Sequence, residues 1–159
     1  MNNKLRTLIL ALCLMLAAQA AAFALTWPAA TAKTVRSRTS VVAPLADEVV
    51  RQVNLERTGR GLQPLRVSAE LTRAARVRAN EITRKFSHTR PDGTAWRTVS
   101  SAAYGENIAM GQRTADKVMA AWMTSSGHRA NILRASYGSI GVCAVVSGGV
   151  TYWVQLLGK

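Results

Sequence analysis

The strongest constraint on the fold is a change in hydrophobic period near residue 138. Residues 139–146 and 150–156 are two runs rich in Val, Ile, Tyr and Trp, and Ser147-Gly148-Gly149 joins them. Two such runs around a Gly-containing turn predict an antiparallel β-hairpin. Every earlier regular pattern has a helical period, so the helices precede the hairpin. This order predicts an α+β fold in which helices pack in layers against an antiparallel sheet.

The sequence predicts three helices. The first and the third are indicated by the spacing of their apolar residues and by residues typical of helix ends. The first begins at Pro44, runs for about 14 residues and ends at Gly59-Arg60-Gly61. Its apolar stripe is formed by Leu45, Val49 and Val53. Thr114 is the predicted N-cap of the third helix. The buried face of that helix is predicted to carry Val118, Ala121 and Trp122.

The predicted second helix supplies much of the positive charge. Ser68 is its predicted N-cap, and it ends near Lys85. The apolar stripe that we expect to be buried consists of Leu71, Ala75, Ala79 and Ile82. The face that we expect to be exposed consists of Arg73, Arg76, Arg78 and Arg84.

The first 24 residues have the pattern of a secretory signal peptide. Lys4 and Arg6 precede an apolar run over residues 8–18, and small residues suited to cleavage follow. The run is shorter than the roughly 20 residues that a membrane-spanning helix needs. We therefore predict a leader over 1–24, a flexible basic linker over 25–43 and one domain over 44–159. The protein is then secreted, to the periplasm or the exterior, or is held by an N-terminal anchor if the leader is not cleaved.

The cysteines and the charge narrow the class of protein further. Cys13 lies in the leader, so the mature chain keeps Cys143 alone and forms no intramolecular disulfide. The net charge is +13, and a secreted chain this basic is expected to adhere to anionic envelope polymers or lipid headgroups. A solvated, arginine-rich surface without a partner is the alternative. No nucleic-acid motif is present, so we predict no specific nucleic-acid partner.

Three side chains in two segments are the candidates for chemistry. The chain has only two histidines, His88 and His128, and Glu106 lies between them behind Gly105. Two imidazoles and a carboxylate suit Zn²⁺ or another divalent cation with open positions for water. The same groups suit proton transfer, with Glu106 as the base. A hydrogen-bonded cluster that only fixes the loops is a third interpretation, and spacing does not choose among them. Gly105 is expected to turn the backbone and direct Glu106.

Three segments together resemble a known family. They are Phe86-Ser87-His88-Thr89-Arg90-Pro91-Asp92-Gly93, Gly105-Glu106-Asn107-Ile108-Ala109, and the run from Trp122 through Ser126-Gly127-His128-Arg129-Ala130-Asn131 to Leu133. In this order they resemble the signature segments of the CAP superfamily, which comprises cysteine-rich secretory proteins, antigen 5 and plant pathogenesis-related 1 proteins. Their domain is also called the SCP-like extracellular domain. The resemblance is to its bacterial branch and covers residues 45–157.

The resemblance implies an α-β-α sandwich, with helices on both faces of a small antiparallel sheet. It also implies a central cleft of two histidines and two acidic residues that binds divalent metal in some members. His88, His128 and Glu106 match three of these positions. The second acid is missing, because the helix before His128 ends in Ser125 and Ser126. Asp92 is the candidate replacement.

Two functions from different classes follow from the resemblance. The first is a secreted binding or scaffold module at the cell envelope, whose cleft takes a divalent metal or a small apolar ligand. The alternative is a metal-assisted hydrolase in which His88 and His128 hold the ion and Glu106 is the general base. Ser126 as a nucleophile beside His128 is a third idea. No reaction is common to the family, so the resemblance itself implies no catalytic activity.

Overall fold

A computed structural model of the protein describes residues 39–159, and the predicted leader and most of the predicted linker lie outside them. The helices are α1 (Ala43–Thr58), α2 (Ala69–Ile82), α3 (Ala115–Thr124) and α4 (Ser126–Ile132), with a 3-10 turn at Trp96–Val99. The strands are β1 (Ser40–Val41), β2 (Arg66–Val67), β3 (Gly105–Met110), β4 (Ser139–Ser147) and β5 (Val150–Gly158). The predicted helices and the hairpin are thus confirmed, but Ala121, which we predicted on the buried face of the third helix, is exposed.

The strands form one five-stranded sheet. Its order is β1-β4-β5-β3. The short strand β2 also pairs with β4, along the same edge of β4 as β1. The three long strands are antiparallel, and only the short β2 runs parallel to its partner. Side chains alternate between the two faces of each strand, so successive residues of the buried strands enter different cores.

Two apolar cores lie on opposite faces of this sheet. One core joins α1, α3 and α4 to the sheet and contains Val53, Trp122 and Trp153. The other joins α2 to the sheet and contains Leu71 and Leu156. The domain is therefore the α-β-α sandwich that we predicted.

Two boundaries differ from the sequence predictions. Among the described residues, regular structure begins at Ser40, before the predicted start at Pro44, because Ser40 and Val41 pair with Val146 and Val145 at the edge of β4. Two residues are too few to show a period of 2 in the sequence. The second helix ends at Ile82 instead of Lys85, and the chain then leaves toward the His88 loop.

Arg78 was predicted to be exposed, and this prediction was wrong. Its side chain is fully buried, on the α2 stripe that includes Leu71, Ala75 and Ile82. Seven residues separate Arg78 from Leu71, which is two helical turns, so both point to the same side of the helix. Residue type alone suggested exposure, whereas helical spacing placed Arg78 inside.

Gly105 has a different role from the one that we predicted. It is the first residue of strand β3 and makes no turn with positive φ. A Cβ atom at this position would lie 3.0 Å from the hydroxyl oxygen of Tyr137 and 3.1 Å from its ring. Tyr137 donates a hydrogen bond to the carbonyl of Tyr104, so the glycine makes room for this contact at the start of the strand.

Candidate functional site

Glu106 lies on the sheet face that is covered by α2. Its neighbour Ile108 enters the α2 core, whereas Ala109 enters the opposite core. By the same alternation Glu106 points toward α2 and Asn107 points toward α3 and α4. The Glu106 side chain is completely buried, so its charge requires a partner within the protein.

Arg78 is that partner. Its Nε donates to one carboxylate oxygen of Glu106 at 2.7 Å, and a terminal nitrogen donates to the other at 3.3 Å. The guanidinium also donates to Glu81 at 2.6 Å and to the carbonyl of Ser87 at 2.8 Å. Burial alone would lower the pKa of Arg78, but its hydrogen bonds to Glu106 and Glu81 raise it above its usual value. The site therefore has a permanent cation at its base.

Glu81 links this cation to the loop that follows α2. Arg90 donates to both of its oxygens, the shortest contact being 2.6 Å, and also donates to Thr98. Burial raises the pKa of Glu81, but the hydrogen bonds from Arg90 and Arg78 lower it below its ordinary value. The network Arg90–Glu81–Arg78–Glu106 therefore fixes the His88 loop against α2.

His88 reaches Glu106 from this loop. Its Nδ1 lies 2.8 Å from a Glu106 oxygen. A carboxylate paired with arginine accepts hydrogen bonds only, so Nδ1 carries the proton that is donated and Nε2 is the ring nitrogen left to bind a ligand. Just over half of the His88 side chain, 53 %, is exposed. The nitrogen that is free to bind a ligand thus belongs to a solvent-accessible ring.

His128 lies on the short helix α4 and is half-buried. Its pKa is lowered from the usual 6.5 by burial and by the charge of His88. Asn107 donates to the carbonyl of His128 at 3.1 Å. The amide of Asn131, on the same helix, donates to Asn107 and to the carbonyl of Glu106. These bonds tie α4 to strand β3, so one strand positions both Glu106 and His128.

A buried glutamine extends this amide chain into the sheet. Asn107 donates to the side-chain oxygen of Gln155 at 2.7 Å, and the two residues are paired across β3 and β5. Within residues 39–159, the Gln155 side-chain nitrogen has no hydrogen-bond partner. The sequence did not lead us to predict the buried amides Asn107, Asn131 and Gln155, or Arg78 and Glu81, as site residues. Asn107 and Asn131 lie within the segments that resemble the family, and this position could have indicated them.

The other two predicted site residues stand apart from the cluster. One oxygen of Asp92 accepts hydrogen bonds from the backbone and hydroxyl of Thr94, so this carboxylate stabilises its own turn. Ser126 is exposed at the start of α4, and the hydrogen bonds of residues 39–159 include none between Ser126 and His128.

Metal binding has a limited donor set here. Within the part of the chain that the structure describes, no three His, Cys, Asp or Glu side chains are arranged to hold a metal ion. Both oxygens of Glu106 already accept hydrogen bonds from Arg78 or His88. The groups left to bind a metal are therefore the two imidazoles, with Glu106 as an orienting carboxylate for His88, a kind of contact frequent around bound zinc. Metal binding itself stays a prediction.

Comparisons with known proteins agree with this architecture. The model of the cysteine-rich secretory protein family (CAP) matches residues 50–157. The protein YkwD of Bacillus subtilis is 38 % identical over 135 residues, which are 79 % of this chain and 52 % of YkwD. The chain thus spans about half the length of this curated relative.

Within residues 39–159, no helix combines the length and apolar character needed to span a bilayer.

Solved structures show the same fold at low sequence identity. An outer surface protein of Borrelia burgdorferi superimposes with a TM-score of 0.69 at 19 % identity, covering 77 % of this chain and 98 % of that one. An extracellular protein containing an SCP domain from Bacillus anthracis gives 0.62 at 22 % identity, covering 74 % of this chain and 41 % of that one.

Proposed function

The chain belongs to the cysteine-rich secretory protein (CAP) family, and we propose that it is an extracytoplasmic binding module. Its ligands would be held by the imidazoles of His88 and His128. The signal-peptide pattern of residues 1–24 supports the location, as do relatives described as extracellular or outer-surface proteins. The positive charge would keep the module close to anionic envelope polymers or lipids.

The ion pair between Glu106 and Arg78 carries this proposal. A general base needs a lone pair directed at the substrate and a pKa close to the working pH. Glu106 is buried, and Arg78 and His88 hold its two oxygens at hydrogen-bond distance. The contacts therefore favour an orienting role for Glu106, and they count against the hydrolase interpretation in which it activates water.

Two imidazoles are suited to a divalent cation. His128 has a lowered pKa, so its ring is neutral near pH 7, and neutral imidazole is the form that binds metal. His88 presents Nε2 because Nδ1 is directed to Glu106. A Zn²⁺ ion would be held by these two rings, would leave positions for an external ligand and would act as a Lewis acid toward it. A small apolar ligand against the rings is the other occupant that we consider.

Calorimetric titration of zinc into the mature chain, residues 25–159, tests the proposal. We expect micromolar binding in the wild type and none in His88→Ala/His128→Ala. Asp92→Asn is the matched control and should bind zinc normally, because that carboxylate stabilises its own turn. Glu106→Gln should retain binding that is about 10- to 100-fold weaker, as expected for an orienting residue.

Other outcomes would change the assignment. Equal heats in the wild type and the double variant would rule out metal at this site, and lipid and wall-polymer ligands would then be tested. Turnover of a peptide or ester substrate that is lost in both Glu106→Gln and His128→Ala would overturn the binding module in favour of the hydrolase.

A further inference from the structure

The outer side of α2 and the segment that follows it carry several exposed cations. Arg73 and Val77 lie four residues apart on the exposed side of α2, and Arg76 flanks them. Arg84, Lys85 and Phe86 follow the end of the helix at Ile82. All six side chains are exposed, and together they are called the basic face below.

The cations of the basic face have no anionic partner within residues 39–159. The ion pairs among these residues include none of Arg73, Arg76, Arg84 and Lys85. The one exposed acid of α2, Glu70, lies on the same side of the helix as Arg73 and Val77 and accepts a hydrogen bond from Ser100. The other acid of the helix, Glu81, is buried and is already paired with two arginines.

The opposite surface of the sandwich is different. On α1, the exposed cation Arg51 pairs with Glu48. Just after the helix, Arg60 pairs with Glu56. Asp116 on α3 adds a further anion to that side and accepts a hydrogen bond from Gln52. Because α1 and α3 lie on one face of the sheet and α2 on the other, these acids offset cations on the α1 side, whereas Glu70 is the one exposed acid of α2.

Apolar side chains among the cations indicate what kind of anion fits. Val77 is 46 % exposed and Phe86 is 44 % exposed. A cavity of about 220 Å³ with a mostly apolar lining, including Val142, opens beside Arg73 and Arg76, and the carboxylate of Asp47 also lines it. A soluble polyanion needs cations alone, whereas a bilayer interface accepts cations and apolar groups together. We propose that the basic face docks on an anionic lipid surface, with Val77 and Phe86 entering the headgroup region.

This inference rests on the extracytoplasmic location in the proposed function but not on the histidine site. The zinc titration and the membrane experiment therefore fail independently. A protein without metal affinity can still bind vesicles through α2, and a metal-binding protein can fail to bind them.

Sedimentation with vesicles tests the docking surface. The mature chain, residues 25–159, is mixed with vesicles of phosphatidylcholine alone or with 30 % phosphatidylglycerol, at low and at physiological salt. Arg73→Gln/Arg76→Gln/Arg84→Gln removes three charges from the basic face. We expect its partition coefficient on anionic vesicles to fall about 100-fold, since each cation near such a surface contributes roughly one kcal/mol. The matched control Arg51→Gln/Arg60→Gln/Lys117→Gln has the same net charge and should lose much less.

A second variant separates lipid from polymer. Val77→Ser/Phe86→Ser keeps every charge and should weaken binding to anionic vesicles several-fold, while binding to soluble polyphosphate stays unchanged. Equal losses in the two charge variants would show that net charge alone acts, and this would overturn the proposed face. Full vesicle binding by Val77→Ser/Phe86→Ser, with polyphosphate binding that depends on the three arginines, would overturn the lipid assignment in favour of a polymer.

Discussion

Replacing Arg78 by Met tests the central ion pair most directly. The substitution keeps an unbranched apolar side chain on the buried stripe of α2 but removes four hydrogen bonds. Glu106 would then be a buried carboxylate without its cation, and the carbonyl of Ser87 would lose its donor. Removing one partner of a buried pair costs about 3–5 kcal/mol.

The lower end of that range is expected. Glu106 keeps the hydrogen bond from His88, and Glu81 keeps its bonds from Arg90. We therefore predict a loss of about 3 kcal/mol in the free energy of unfolding, in a domain whose total is about 5–15 kcal/mol. For a domain of this size, such a loss lowers Tm by roughly 10–20 °C.

Urea denaturation followed by tryptophan fluorescence and circular dichroism measures the loss. The control is Arg51→Met, which breaks an exposed pair with Glu48 and should leave the midpoint unchanged. Adding Glu106→Gln to Arg78→Met removes the stranded charge and should recover at least half of the lost stability. A loss below about 1 kcal/mol, or a double variant as unstable as the sum of the single variants, would refute the reasoning.

Three further predictions follow from local environments. Because its folded pKa lies below the usual 6.5, His128 makes the unfolded chain bind more protons in mild acid. Stability should therefore fall as pH drops below 6.5, and His128→Asn should flatten this decline in urea titrations at several pH values. Gly141→Ala should prevent folding, because the added Cβ would overlap the backbone of Leu71. Gly127→Ala places its Cβ in open space and should raise Tm slightly. Circular dichroism measures both effects. Cys143 is buried with its pKa raised to about 11, so a thiol reagent should label it only at the rate of unfolding.

The helices and the hairpin could be predicted because their signals are local. Ser68 and Thr114 accept the N-terminal hydrogen bonds of their helices, as their positions in the sequence indicated. The Gly-containing turn after β4 marks the hairpin equally well. Short strands β1 and β2 gave no such signal, since two residues have no period and their stability depends on the edge of β4.

The sequence by itself identified three residues of the candidate site, whereas the tertiary structure decided which groups surround and hold them. His88, Glu106 and His128 were identifiable because they lie in three segments whose order and composition resemble one family. Sequence could not show that Arg78 neutralises Glu106, because that contact joins residues 28 positions apart across a helix and a strand. Because Arg78 and Glu106 are both buried, their ion pair holds the carboxylate in place. The imidazoles therefore remain as the groups that are free to bind a metal or another ligand.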